Sequence, residues 1–305
     1  MTTTTRPKQK KVYPKVISAL WLLFLSGLDV LILYIYAVSI NFLNLFGELP
    51  NMRTLENPKS SLSSELYSAD NQLLGKYFRE NRTPIDYEDL PENFVHALIA
   101  TEDIRFEEHS GIDPEAMARV IGSILMGSSK GGGSTITQQL AKNLFKTRGE
   151  ELNNGLLNET PGFRTLIHKT KEWIMAVKLE QSYTKREIMI MYLNIFEFGS
   201  NAFGIQSASK TFFNKNPQDL EVQESAVLVG LFKNPNFYSP KFQPENSKRR
   251  RNVVMSQMVK YGFLPAEEYE KLKNVDIKLD YRAEVWGKAN ILVLHTVIQL
   301  DVNIF

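Results

Sequence analysis

The sequence predicts a mainly α-helical protein carried on one N-terminal transmembrane helix. Three observations predict it. A run of 25 residues from Val16 to Ile40 holds a single charge, Asp29. From Pro91 through Gly262 the chain is a succession of segments opened by proline or a capping residue, with apolar residues three and four apart. Strand signals are confined to one hairpin-like stretch, "SELYSADNQLLGKYF", with Ala-Asp-Asn at its turn.

Taken in order, residues 1–15 form a basic arm in which Arg6, Lys8, Lys10, Lys11 and Lys15 are offset by no acid. Residues 16–43 are the transmembrane helix. About 20 apolar residues suffice to cross a hydrocarbon core of roughly 30 Å. The fifteen Leu, Ile, Val and Phe residues between Val16 and Ile40 each favour insertion by about 0.3–0.6 kcal/mol, against a cost of roughly 3 for the aspartate. The run is too long for the apolar core of a cleaved signal peptide, and no small-x-small cleavage site follows it closely, so the anchor is expected to be retained. The positive arm places the N-terminus in the cytoplasm and the chain from about Phe46 onward outside. With no cysteine among 305 residues, disulfides, thiolate catalysis and cysteine zinc sites are excluded. A 43% hydrophobic content excludes disordered and collagen-like classes.

Residues 44–85 carry the Pro, Asn and Ser signals of a membrane-proximal linker containing the short hairpin. Residues 86–280 form the helical domain. In "PENFVHALIATEDIRF" a proline starts a helix whose apolar face holds Phe94, Ala97 and Leu98. "GIDPEAMARVIGSILMG" repeats the device with Asp113 as N-cap, Pro114 at the first helical position and Gly127 as stop. "SSKGGGSTITQQLAKNLF" feeds a further helix, Thr135 and Gln138 standing at capping-box spacing. The polar stretch "KTRGEELNNGLLNETPG" is expected to be a mobile excursion. Two more helices follow, the second opened by the pair Thr184 and Glu187. The tail, residues 281–305, does not continue the helical pattern.

Charge is concentrated at "EDIRFEEHSGID", residues 102–113. A solvated helix end is the ordinary explanation of such a cluster. Here, however, Glu102 and Phe106 fall one turn apart on the face that carries Leu98, so a carboxylate runs along an apolar side. There desolvation raises its proton affinity toward that of a general base. His109 with Asp113 lacks the further ligands a metal would need. The "KGGGST" loop before a helix offers clustered N–H groups to a phosphate oxygen, although it is no Walker A motif. It leads to Lys142, Arg164, His168, Lys169 and Lys171, and residues 130–190 hold ten Lys or Arg against six Asp or Glu. Nucleic acid is the generic partner of such a basic run but not of a chain tethered outside a membrane, so an anionic phosphate substrate or lipid headgroup is expected. Glu172, three residues after Lys169, reads either as half of a surface ion pair or as a second catalytic carboxylate.

Together these segments resemble the peptidoglycan glycosyltransferases of family 51, the transglycosylase domain of class A penicillin-binding proteins. The resemblance covers roughly residues 60–280 through five blocks in order: "ATEDIRFEEHSGID", "GGGSTITQQLAKNLF", "HKTKEWIMAVKLE", "KREIMIMYLNIFEFG" and "KRRRNVVM". It implies a lysozyme-like, two-lobed helical glycosyltransferase domain on a single-pass anchor in the bacterial inner membrane, facing the periplasm. The implied substrate is lipid II, polymerised into a glycan strand with inversion and release of polyprenyl diphosphate. It implies Glu102 as the base that takes the proton of the acceptor sugar's 4-hydroxyl. Glu172 is implied as the second essential acid, acting directly or through a divalent cation such as Mg2+. Ser134, Gln138, Lys142, Arg164 and Lys169 match positions that hold diphosphate and sugars, and Asp103, Phe106, His109 and Arg119 those that shape the acceptor side. Asn194, which the resemblance implies among the substrate-binding positions, and Arg250 and Arg251 fall in the last two blocks, where a structural role is as well founded as a direct one. The excursion at 147–163, with Leu156, Leu157 and Phe163, is implied to be membrane-facing. One departure is His168, where the family usually has arginine; a mostly neutral side chain weakens the fixed charge there.

Family members of class A continue into a transpeptidase domain. Here "SASK" (Ser207–Lys210) matches its first motif by chance and no K-T-G occurs, so a separate transpeptidase, or division and elongation proteins, are the implied partners. The sequence also admits two rival readings. One is an inactive membrane-anchored scaffold of cell-wall assembly; the other is a lysozyme-like lytic enzyme.

Overall fold

Local caps set the helix boundaries in the structure, a computed structural model that describes residues 13–52, 64–67, 73–77, 81–126, 132–149 and 152–282. The helices among them are α1 (Pro14–Ser39), α2 (Glu92–Glu102), α3 (Pro114–Leu125), α4 (Ile136–Leu144), α5 (Pro161–Ser182), α6 (Lys185–Ile195), α7 (Ile205–Phe213), α8 (Val222–Leu231), α9 (Pro244–Lys260) and α10 (Ala266–Leu272). Asp113 accepts the N–H of Ala116 at 2.9 Å, which caps α3. Thr184 and Glu187 close a full capping box on α6. At α4 only half the box forms: Thr135 accepts the N–H of Gln138 at 3.1 Å, while the Gln138 side chain turns elsewhere. The stop expected at Gly127, the tail from Ala283, and Lys130 and Gly131 of the glycine loop lie outside the described residues.

The chain falls into two compact units, Met1–Pro50 with Arg148–Lys171 and Asn51–Thr147 with Glu172–Phe305. The first is dominated by α1, 26 residues long, in which an 18-residue window has a mean hydropathy of 2.3 and which is exposed over almost its whole length. A helix of that length and composition is able to cross a membrane. Past α1 the chain reverses through left-handed backbone at Asn41, Leu43, Asn44 and Gly47. Asn41 stabilises the reversal by accepting the N–H of Phe46 at 3.1 Å. The stretch from Leu152 to Phe163 is tied to this corner. Leu157 N–H donates to the Leu45 carbonyl at 3.0 Å, and the Asn158 amide to that of Phe46 at 2.9 Å. Gly155 has no Cβ because one would stand 2.3 Å from the Gly47 nitrogen. Lys171, fully buried, donates to the Leu152 carbonyl at 2.5 Å, and burial pulls its pKa down to about 8, with Glu48 opposing. Leu156 and Phe163 stay exposed, and so do Phe42 and Leu43.

In the second unit α8 is apolar on all sides, and every residue from Ser225 to Leu231 is buried. α2 and α9 pack on it and on each other, and α4 packs on α6. β1 (Ser64–Tyr67) and β2 (Leu73–Tyr77) pair antiparallel, with a bulge at Leu66/Tyr67. β3 (Asn81–Arg82) and β4 (Ala202–Phe203) pair in parallel, a two-residue ladder too short to leave a pattern in the sequence. Tyr192, Phe196, Phe198 and Phe232 stack at centroid distances of 4.1 to 5.9 Å and close the core.

Candidate active site

α2 ends on Glu102, and the backbone leaves the helix at Asp103 with φ −161° and ψ 77°. The cause is the Asp103 carboxylate, which is required at another helix. It accepts the N–H of Ile136 at 2.9 Å, at the first position of α4, and His109 Nε2 at 3.0 Å. His109 Nδ1 accepts the Gly111 N–H at 3.2 Å, so Nε2 carries the proton and donates. The helix therefore does not continue to Phe106 as the spacing suggests. Phe106 sits in the following turn, fully buried, edge-on to His109 and under the Lys185 ammonium. Phe106 and His109 thus act on Glu102 by fixing the turn that follows it.

Gly111 holds this corner together. Its φ is +88°, and a Cβ would stand 2.8 Å from the Ala176 carbonyl. Its own carbonyl accepts Thr135 Oγ1 at 2.8 Å and Gln138 Nε2 at 3.2 Å. Gly111→Ala is expected to destabilise the chain by about 2 kcal/mol or more through overpacking and strained backbone, read as a lower urea midpoint at unchanged slope.

The Glu102 carboxylate is braced from two sides. Gln139 Nε2 donates to Oε2 at 3.1 Å, and its amide is oriented in turn by the buried Tyr192 hydroxyl, which donates to Gln139 Oε1 at 2.8 Å. The Arg250 guanidinium stands 3.7 Å from Oε1. It reaches there because position 230 is glycine: a Cβ on Gly230 would press on Arg250 Cγ at 3.0 Å. Burial pushes the Glu102 carboxyl above its ordinary value, and the Gln139 bond and the Arg250 and Lys233 charges only partly offset it.

Glu102 and Asp103 open into a cavity of about 270 Å³ with Asp113, Arg119, Ser134, Gln257, Lys260 and Tyr261 on its walls. Asp113 is fixed by Arg105 through bonds of 2.6 and 2.8 Å. Burial raises its pKa, but Arg105 and the Ala116 N–H outweigh this and hold it below the usual value. Arg119 and Lys260, both exposed, line it as well, so two cations share a space of sugar size with the carboxylate. The glycine loop contributes Gly132 to Ser134 to the wall. At the start of α4 Asp103 and Thr135 take the N–H groups of Ile136 and Gln138.

Of the candidates named from the sequence, Glu102, Asp103, Arg119 and Ser134 share this cavity. Gln138 is buried and spends its amide on Gly111, so the neighbouring Gln139, not singled out from the sequence, is the glutamine that meets Glu102. Asn194 clasps the Ile85 backbone in both directions, at 3.2 and 3.0 Å, which gives it the structural role open to it in the sequence. Glu172 is buried on α5 and is not on the walls of the Glu102 cavity; Lys142 is half-buried on α4. Arg164 and Lys169 belong to the first unit, where Arg164 Nε donates to the Asn158 carbonyl at 2.7 Å. Arg251 is fully buried and donates to the carbonyls of Leu272, Lys273 and Val275. Among the described residues no three His, Asp or Glu side chains are grouped to hold an ion.

A family model described as transglycosylase matches residues 70–259. Penicillin-binding protein 1A of Aquifex aeolicus (strain VF5) is 36% identical over 253 residues, covering 83% of this chain and 33% of that protein. Penicillin-binding protein 1F of Bacillus subtilis (strain 168) is 40% identical over 207 residues, 68% of this chain and 27% of that one. The chain thus spans about a third or less of the length of the curated relatives it matches. A crystal structure of penicillin-binding protein 1A from Haemophilus influenzae aligns with a TM-score of 0.43 and 22% identity, over 80% of this chain and 25% of that chain.

Proposed function

The chain belongs to the transglycosylase family, and on that premise we propose that it is a membrane-anchored peptidoglycan glycosyltransferase that polymerises lipid II. The observation that carries this reading is the half-buried carboxylate of Glu102 at a helix end, its proton affinity raised by desolvation, opening into a cavity lined by Arg119 and Lys260. In the proposed reaction Glu102 takes the proton of the acceptor sugar's 4-hydroxyl. The freed oxygen pair forms a bond to the donor's anomeric carbon from the face opposite the diphosphate. The carbon–oxygen bond to the diphosphate breaks, its electrons leave on polyprenyl diphosphate, and the anomeric centre inverts. Cations fixed before the reaction stabilise the departing charge. By family resemblance Ser134, Lys142, Arg164 and Lys169 are assigned to donor binding and Glu172 to the donor side. The basic arm and α1 support an inner-membrane anchor with the domain on the periplasmic side, beside a donor that is itself held in the bilayer.

A base must be ionised to act, so activity rises with pH through the raised Glu102 pKa, and the acid limb lies above that of an ordinary carboxylate. Gln139→Ala removes a bond that lowers this pKa. Its acid limb is expected to move to still higher pH in initial-rate profiles of polymer formation. An unmoved limb would assign the ionisation to another group.

A further inference from the structure

The last turn of α9 brings Gln257, Lys260 and Tyr261 to the wall of the Glu102 cavity. Positions three and four apart share one face of a helix, so the three side chains arrive together. The turn is held firmly. Tyr261 caps α9, and Gly262 follows it with φ +80°. Gly262 N–H donates to the Val259 carbonyl at 3.1 Å and Phe263 N–H to that of Met258 at 2.9 Å, the paired bonds of a Schellman stop. Beyond the stop Leu264 is buried, and the Phe263 ring stacks on His96 of α2 at 4.3 Å. α2 is the helix that ends in Glu102. Packing therefore fixes the end of α9 against the helix that carries the base.

The charges that line this cavity do not balance within the chain. Of its carboxylates, Asp103 is bonded to His109 and to the Ile136 N–H, Asp113 is bonded to Arg105, and Glu102 faces Arg250. Arg119 and Lys260 line the same space. Among the described residues neither has a carboxylate partner. The Lys260 ammonium instead donates to the Tyr261 hydroxyl at 3.2 Å and lies 4.8 Å from the centre of its ring. An ammonium has three donors, so this contact orients it and leaves others for a ligand. Two cations without an internal partner, beside a base, fit a ligand that carries an anionic group as well as a hydroxyl. We propose that Lys260, aligned by Tyr261, binds an anionic group of the acceptor while Glu102 receives the acceptor's hydroxyl. This rests on the glycosyltransferase reading and adds to it a residue that stands in none of the five sequence blocks. Lipid II is negative in two places, its diphosphate and the carboxylates of its peptide, and either offers an ammonium the same charge-assisted bond. A contact made equally before and during the reaction shows in KM and not in kcat.

The test uses the full chain in a bilayer and initial rates of polymer formation from two forms of lipid II, one with free peptide carboxylates and one with them amidated. On the first form, Lys260→Met is expected to raise KM about tenfold at unchanged kcat, and Lys260→Arg to keep the KM of the unaltered chain. Lys260 is exposed, so both variants are expected to unfold at the urea midpoint of the unaltered chain. Where the peptide supplies the anion, the amidated form raises KM for the unaltered chain and Lys260→Met adds nothing further. Where the diphosphate supplies it, the tenfold step persists on the amidated form. Either result supports the proposal and identifies the group. A Lys260→Met chain with unaltered KM on both forms, a loss confined to kcat, or an arginine that fails to restore binding overturns it and leaves the glycosyltransferase reading standing. An unaltered chain that forms no polymer overturns both.

Discussion

Glu102→Gln is expected to lower polymer formation by about 10²- to 10⁴-fold, the range over which a positioned general base contributes. The amide keeps the shape and the Gln139 contact but has no basic oxygen pair. The same substitution separates loss of chemistry from loss of fold. Because burial raises the Glu102 pKa, the folded chain binds this proton more tightly than the unfolded chain. The associated stability is fully present below the unfolded value and is lost as pH rises through the raised one. Ionised Glu102 is therefore carried at a cost at neutral pH. The uncharged variant is expected to melt higher than the parent at neutral pH, with the difference shrinking in acid. An inactive variant that instead melts lower at neutral pH would place the defect in the fold.

The largest stability effect is expected at Arg251. Its guanidinium, fully buried, collects the carbonyls of Leu272, Lys273 and Val275, where α10 ends. Burial disfavours its charge and lowers its pKa, with Asp276 opposing, so the charge persists through these bonds. Arg251→Met leaves several acceptors dry and is expected to cost about 3–5 kcal/mol, measured by urea unfolding. Its neighbour Arg250 faces Glu102. Arg250→Met should leave stability nearly intact and shift the acid limb of activity upward, so the two adjacent arginines separate stability from chemistry.

That contrast shows what the sequence can and cannot carry. Asp113, Thr135 and the Thr184–Glu187 pair are legible because a cap is decided within four residues. The anchor is legible because length and apolarity alone define it. Glu102 is legible through the block it stands in. Which of Gln138 and Gln139, or of Arg250 and Arg251, meets Glu102 is decided by the rotation of α4 and α9 against α2. That rotation depends on Gly230, Tyr192 and Gly111, far apart in sequence. The end of α2 at Glu102 was hidden for the same reason: the spacing to Phe106 favours a further turn, and the competing attraction of Asp103 for the start of α4 is tertiary. Gln257, Lys260 and Tyr261 carry no motif and become visible only when α9 closes the cavity.

The most direct measurement follows labelled lipid II given to the purified full-length chain in a bilayer, with polymer and released polyprenyl diphosphate assayed together. The account predicts that both accumulate in step with the unaltered chain and that neither does with Glu102→Gln. Polymerisation by Glu102→Gln at the parent rate would contradict it, as would a chain that leaves lipid II untouched and instead frees soluble fragments from finished cell wall.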